Sequence, residues 1–146
     1  MHRPYSEHIL SPEVVGLFTQ ARDLVDAYFA VPDPLPNVTL RCHEMARAVT
    51  RLLDPAEGVQ VHVEDGKFGA VEHSWLLLVG RGPAILDVYA VGTLPPVQLH
   101  DMSPALPTMR NYEKGFPRTD IREDVVDTVV AAMISGATHE MQTPQA

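Results

Sequence analysis

The sequence predicts a single α+β domain: N-terminal helices, a small antiparallel β-sheet, then a C-terminal helix. Three observations carry this. Apolar residues recur at helical spacing over 12–30 and 40–53. The period switches to two after Asp54-Pro55, and a helical stripe returns after Asp120. No internal repeat or break in composition marks a second domain, so residues 1–136 are expected to form one domain and 137–146 a disordered tail.

The first helix is expected over 12–30. Ser11 suits an N-cap and Pro12 a first-turn position. Val15, Leu17, Phe18, Ala21, Leu24, Val25, Ala27 and Tyr28 give a broad apolar stripe. The proline-rich stretch from Val31 to Asn37 ends it. A second helix is expected from Leu40 to Leu53, capped by Thr39, with Cys42, Met45, Ala46, Val49, Leu52 and Leu53 on its apolar face. It stops at Asp54, because a residue before proline is pushed out of the α region.

Strands follow. Val59, Val61 and Val63 alternate with polar residues, which predicts a half-buried strand over 59–64. Asp65-Gly66 is read as a hairpin turn. Residues 70–79 and 84–90 are further strands joined about Arg81-Gly82-Pro83, and 97–100 adds a short fourth. Residues 101–120 carry no clear pattern, and so long a loop in a small domain is usually functional or mobile. Asp120 is read as the cap of a last helix over 121–135, with Gly136 as its stop.

Composition narrows the function. The net charge is −8 and only two residues are lysine, a poor match to phosphate, so neither nucleic acid nor anionic membrane is an expected partner. A single cysteine, Cys42, allows no intrachain disulfide and no multi-cysteine metal site, which fits a reducing compartment. The first residues lack an apolar signal core, and no apolar stretch approaches the ~20 residues of a membrane span. A soluble cytoplasmic protein is the expectation, with export by a specialised secretion system left open.

Three residues stand out chemically. Cys42 falls in the first turn of the second helix, where unpaired N–H groups and the helix dipole favour a thiolate and can stabilise an oxyanion. It also lies on the apolar stripe, where a cysteine packs as a small hydrophobe. His73 lies inside an apolar strand and needs a partner, as a core histidine or as a base. Asp87 lies in the next strand, where aspartate is uncommon unless paired or facing water. Simple hairpin arithmetic, with pairing sums near 163 or 164, sets Leu77 opposite Asp87 and His73 opposite Ala90. A register shift of about two to four residues would bring His73 and Asp87 together.

Arg41-Cys42-His43-Glu44, His73-Ser74-Trp75-Leu76 and Leu86-Asp87-Val88-Tyr89 occur in that order within residues 38–92. The pattern resembles the transglutaminase-like branch of the papain-like cysteine enzymes: a cysteine at a helix start, a histidine on one strand, an aspartate on the next. The resemblance implies a Cys42–His73–Asp87 triad with Cys42 as nucleophile, His73 as base and Asp87 orienting the imidazole. It implies cysteine-dependent hydrolysis or acyl transfer at an amide or ester bond (peptidase, deamidase or transglutaminase-like) through an acyl-enzyme. No cofactor or metal is needed, and the partner is a protein, peptide or small amide substrate. The run from Trp75 to Asp87 is also similar to arylamine N-acetyltransferases, but the chain is shorter and lacks their glycine pair before the cysteine.

Around the triad, Asn37 is a candidate oxyanion donor, although asparagine in a proline-rich loop is also a turn residue. Trp75, Tyr89, Arg110 and Tyr112 are candidate cleft residues. His43 and Glu44 are expected to point to other helix faces than Cys42. A zinc site from Cys42, His43 and His73 lacks a short ligand spacing. The rival function is a protein-binding module, or a small effector or phage-type accessory protein, that keeps the fold with Cys42 merely packed.

Overall fold

The structure is a computed structural model that describes residues 10–80, 82–91, 96–102 and 111–142. Its elements run α1 (Pro12–Ala30), α2 (Cys42–Leu52), β1 (Gln60–Phe68), β2 (Val71–Val79), β3 (Ala84–Asp87), β4 (Gln98–Asp101), β5 (Tyr112–Lys114) and α3 (Glu123–Gln142). The strands form one antiparallel sheet in the order β4-β3-β2-β1-β5. Helix α2 touches both the sheet, at β1 and β2, and α3, while α1 packs along α3. The α+β class is therefore as the change of period predicts. Among the described residues no helix is long and apolar enough to cross a membrane.

Helix α1 has the expected bounds, and Ser11 caps it by accepting a 3.3 Å hydrogen bond from the Val14 amide. Val14, Leu17, Ala21, Val25 and Tyr28 bury its inner face. Helix α2 starts two residues later than expected. Arg41, not Thr39, is its N-cap, in extended conformation and without a capping side-chain bond, so Cys42 is the first helical residue.

Two misread glycines have physical causes. Asp65-Gly66 is not a turn but lies inside β1, which continues to Phe68; the hairpin closes at Gly69, whose φ is 63°. Asp65 stays in the strand because its carboxylate is buried and bonded. Gly66 is needed because a Cβ there would sit 2.0 Å from the Glu113 carbonyl oxygen and 2.9 Å from the Trp75 ring. Gly136 does not stop the last helix, which runs on to Gln142 through much of the expected tail. A Cβ at Gly136 would lie 1.8 Å from the Ala27 carbonyl oxygen, so this glycine permits α1 and α3 to approach closely.

Other bounds also shift. Strand β3 stops at Asp87 because its own Oδ1 accepts from the Tyr89 amide at 3.1 Å, turning the chain out of the ladder. Asp120 does not cap α3, which begins at Glu123; its carboxylate is bonded by Arg41 and Arg118 instead. The patternless stretch holds strand β5, too short to show alternation, while 103–110 falls outside the described residues.

Candidate functional site

The β2–β3 ladder pairs Leu76 with Leu86, Leu77 with Ile85 and Leu78 with Ala84. The pairing sum is thus 162, one or two below the simple arithmetic and closer to it than the two-to-four-residue shift. Continued, this register sets Asp87 opposite Trp75, which puts His73 on the same face and one diagonal step away. That step is the spacing a histidine–aspartate contact needs. His73 Nε2 and Asp87 Oδ2 are 2.8 Å apart, and both side chains are almost wholly buried.

Asp87 is fully engaged. Besides His73 and the Tyr89 amide, Tyr112 Oη donates to Oδ2 at 2.6 Å. Burial and Asp87 both push the Tyr112 hydroxyl well above its usual range, so it stays protonated and donates. Burial works against a charge on His73, but the Asp87 hydrogen bond, the Cys42 sulfur and the Asp87 charge outweigh it and raise the imidazole to about 9.

Cys42 is partly exposed at the first position of α2. Its sulfur influences His73, yet His73 Nδ1 is buried with no hydrogen-bond partner among the described residues. The sulfur is thus close enough to favour a charge on the ring, without a hydrogen bond to Nδ1. Nδ1 is therefore the free edge of a ring whose other nitrogen is committed to Asp87.

The remaining candidates are dispersed. Trp75 is buried, with its ring centroid 5.1 Å from that of Tyr112 and 6.1 Å from that of His73, so it supports the pair from below rather than lining an open cleft. Tyr89 is half-buried against the core and meets Asp87 through its backbone. Asn37 is exposed in a turn with φ 62°, a conformation asparagine tolerates. Arg110 lies outside the described residues. Among the described residues no group of three or more His, Cys, Asp or Glu is arranged to hold a metal ion.

His43 and Glu44 are the residues the sequence underrates. Both are buried, because the first turn of α2 is covered by the sheet on one side and by residues 118–122 on the other. Glu44 receives Arg41 through two nitrogens, Arg122 Nη2 at 2.8 Å and the Arg122 amide at 3.2 Å. Burial alone would raise this carboxyl, but Arg41 and Arg122 lower it to about 2. His43 Nδ1 is 3.5 Å from Cys42 Sγ and 2.7 Å from Ser74 Oγ, so it does not point away from the cysteine. The signal available in sequence was the Arg-Cys-His-Glu run itself, with two polar residues where a helix meets its sheet.

The same neighbourhood borders a surface cavity lined by Asp65, Gly66, Lys67, Glu72, Gly115, Phe116 and Arg118. Cys42, His73 and Asp87 do not line it. Comparison with protein-family models, with curated proteins and with solved structures returned no match to this chain.

Proposed function

We propose that this protein is a cysteine-dependent hydrolase or acyltransferase with a transglutaminase-like core, acting on an amide or ester through a covalent acyl-enzyme. The observation that carries the reading is the buried His73–Asp87 pair at 2.8 Å, with Nδ1 left free beside a partly exposed cysteine at a helix start. The order of elements supports the core: the cysteine helix packs on β1 and β2, and the histidine and aspartate stand on adjacent strands β2 and β3.

In this reading Cys42 and His73 rest as a thiolate–imidazolium pair. The sulfur attacks the carbonyl carbon of the substrate and the carbonyl π electrons move onto oxygen. The first-turn amides of α2, which no Arg41 side-chain bond caps, supply donors for that oxyanion. His73 Nδ1–H protonates the leaving nitrogen or oxygen as the tetrahedral adduct collapses to a thioester. Neutral Nδ1 then takes a proton from water or an amine, which attacks the thioester and releases Cys42 as thiolate. Asp87 keeps Nε2 protonated throughout, fixing the tautomer. Loose sulfur–imidazole geometry is ordinary for a free enzyme and tightens in the substrate complex.

The test is trapping. The protein is mixed with a panel of p-nitrophenyl esters and peptide thioesters, quenched in acid and weighed intact. An acyl adduct on Cys42, absent in Cys42→Ala, is the expected result. The missing hydrogen bond at Nδ1 favours one rival, a binding module with a packed cysteine. Folded protein that forms no adduct with any of the panel would point to that module.

A further inference from the structure

We infer that the open edge of β1 pairs with the same edge of a second copy of this chain. The two β1 strands run antiparallel about a two-fold axis at Val61 and join the two sheets into one. The pairing is independent of the chemistry at Cys42.

Which backbone groups of β1 face outward follows from its ladder with β5. The Gly115 amide donates to the Asp65 carbonyl at 2.8 Å, and the Gly69 amide to the Asn111 carbonyl at 2.9 Å. Between them Lys67 stands opposite Glu113. The odd-numbered residues of β1 therefore turn N–H and C=O towards β5, and the even-numbered ones towards β2. Strand β5 covers only Gly66–Phe68, and its last bond to β1 is that of Gly115 to Asp65. The N–H and C=O groups of Val61 and Val63 thus lie on an open edge, with no backbone partner among the described residues. There is room beside them. Val63 and Glu64 line a surface cavity of about 420 Å³ together with Arg47, Lys114 and Pro117.

This edge lacks the usual guards against pairing. Residues 60–64 contain no proline and no lysine, and β1 pairs with β2 without a bulge. Val61 and Val63 are half-buried and pack against the core on the face that Asp65 turns to Arg47 of α2, an apolar layer that a further strand would extend. The net charge of −8 is not concentrated here. Glu64 is matched by Lys114 at 3.4 Å and Asp65 by Arg47 at 2.7 Å.

Register points to a second copy as the occupant. Gly115 holds the place opposite Asp65, so an added strand must turn away before it. A second β1 does so when Val61 meets Val61. Val59 of each copy then stands opposite Val63 of the other. Just beyond, the turn closed by the Val59 amide on the Ala56 carbonyl, at 3.1 Å, carries the chain off the line. In this register Val61 exchanges N–H and C=O with its counterpart, and each Val63 N–H donates to the Val59 carbonyl of the other copy. The opposed side chains match. Valine meets valine on the α2 face, Gln60 meets His62 on the other, and Glu64 falls outside the pairing. So short an edge makes a small interface, and the dimer is expected to half-form at about 0.1 mM chain.

The experiment is amide hydrogen exchange on the full chain at about 10 µM and about 1 mM, with sedimentation at both concentrations. Wild type is expected to be mostly monomer at the first and mostly dimer at the second. Exchange at Val61 and Val63 should slow by about fourfold between the two, while His62 and Glu64, whose amides face β2, should not change. Val63→Pro removes an N–H that faces the open edge and spares the β1–β2 ladder, and Val61→Lys puts a charge into the pairing. Both variants should sediment as monomer at about 1 mM. If Val63→Pro does not fold, Val61→Lys and the wild-type amides decide. Wild type that stays monomeric at about 1 mM overturns the inference. So does a dimer that persists in Val61→Lys, or one in which Val61 and Val63 exchange as fast as in the monomer. Val61 and Val63 amides already protected at about 10 µM would mean that the chain covers its own edge, which overturns it too.

Discussion

Two buried carboxylates, about 40 positions apart in sequence, are held in opposite ways. Glu44 is bonded by Arg41 and Arg122, cations that never lose their charge at ordinary pH. Asp87 is bonded by a histidine, a tyrosine hydroxyl and a backbone amide. The first arrangement is fixed: it fastens the start of α2 to the segment leading into α3. The second carries a proton on His73 that is lost only as pH rises through about 9. A permanent partner suits a joint of the fold, and a titrating partner suits chemistry.

Removing Glu44 is the largest expected perturbation. Glu44→Gln leaves two arginines without their buried counter-charge, and breaking such a pair costs about 3–5 kcal/mol. Because both arginines are partly exposed, the lower part of that range is expected, read by urea unfolding. Cys42 labelling in the protein that remains folded should change little. A loss under 1 kcal/mol would contradict the view of Glu44 as the joint.

Asp87→Asn should do the reverse. The fold is kept, because asparagine retains the shape and can accept from the Tyr89 amide. Acyl-adduct formation should fall on the order of 10²- to 10⁴-fold, the usual contribution of a positioned acid–base group. Wild-type trapping rates in Asp87→Asn would remove Asp87 from the site.

The pH dependence of Tm separates the two carboxylates further. Glu44 has its folded-state value lowered to about 2 from an ordinary 4.5, so its stabilisation is full above 4.5 and drains as pH falls through 2. His73 has its value raised to about 9 from 6.5, so its stabilisation is full below 6.5 and drains as pH rises through 9. Wild type should therefore lose stability on both sides. Glu44→Gln should flatten the acid limb and Asp87→Asn the alkaline one. Unaltered limbs in both variants would erase the distinction.

Tyr112→Phe is the smallest change. It removes one of the donors to Asp87, worth about 1.5–3 kcal/mol of stability for a hydrogen bond to a charged group. The trapping rate should drop by about tenfold or less, well above the Asp87→Asn level. A drop equal to Asp87→Asn would make Tyr112 a direct participant.

What was legible in the sequence differs between these regions for a physical reason. The α1 bounds follow from Ser11, Pro12 and a regular stripe, all local signals. Cys42, His73 and Asp87 stood out because each residue type is unusual for its element. Asp65-Gly66 misled, because a dipeptide that favours turns is equally the one that lets a crowded strand carry a buried charge and pass under Trp75. Gly136 misled likewise, since its need arises from Ala27 on another helix. Tyr112 gave no periodic signal, as β5 has three residues and owes its place to Gly66–Phe68 of β1. His43 and Glu44 were hidden because a helical wheel assumes one covered face, whereas this first turn is covered from two sides.

The central claim is that His73 is a cation that both Asp87 and the Cys42 sulfur support. The direct measurement is the NMR titration of the His73 ring nitrogens from pH 5 to 11 in wild type and Cys42→Ser. The account predicts a wild-type midpoint near 9 and a clearly lower one in Cys42→Ser, where the neutral hydroxyl no longer supports the charge. The same midpoint in both proteins, close to the ordinary 6.5, would contradict it.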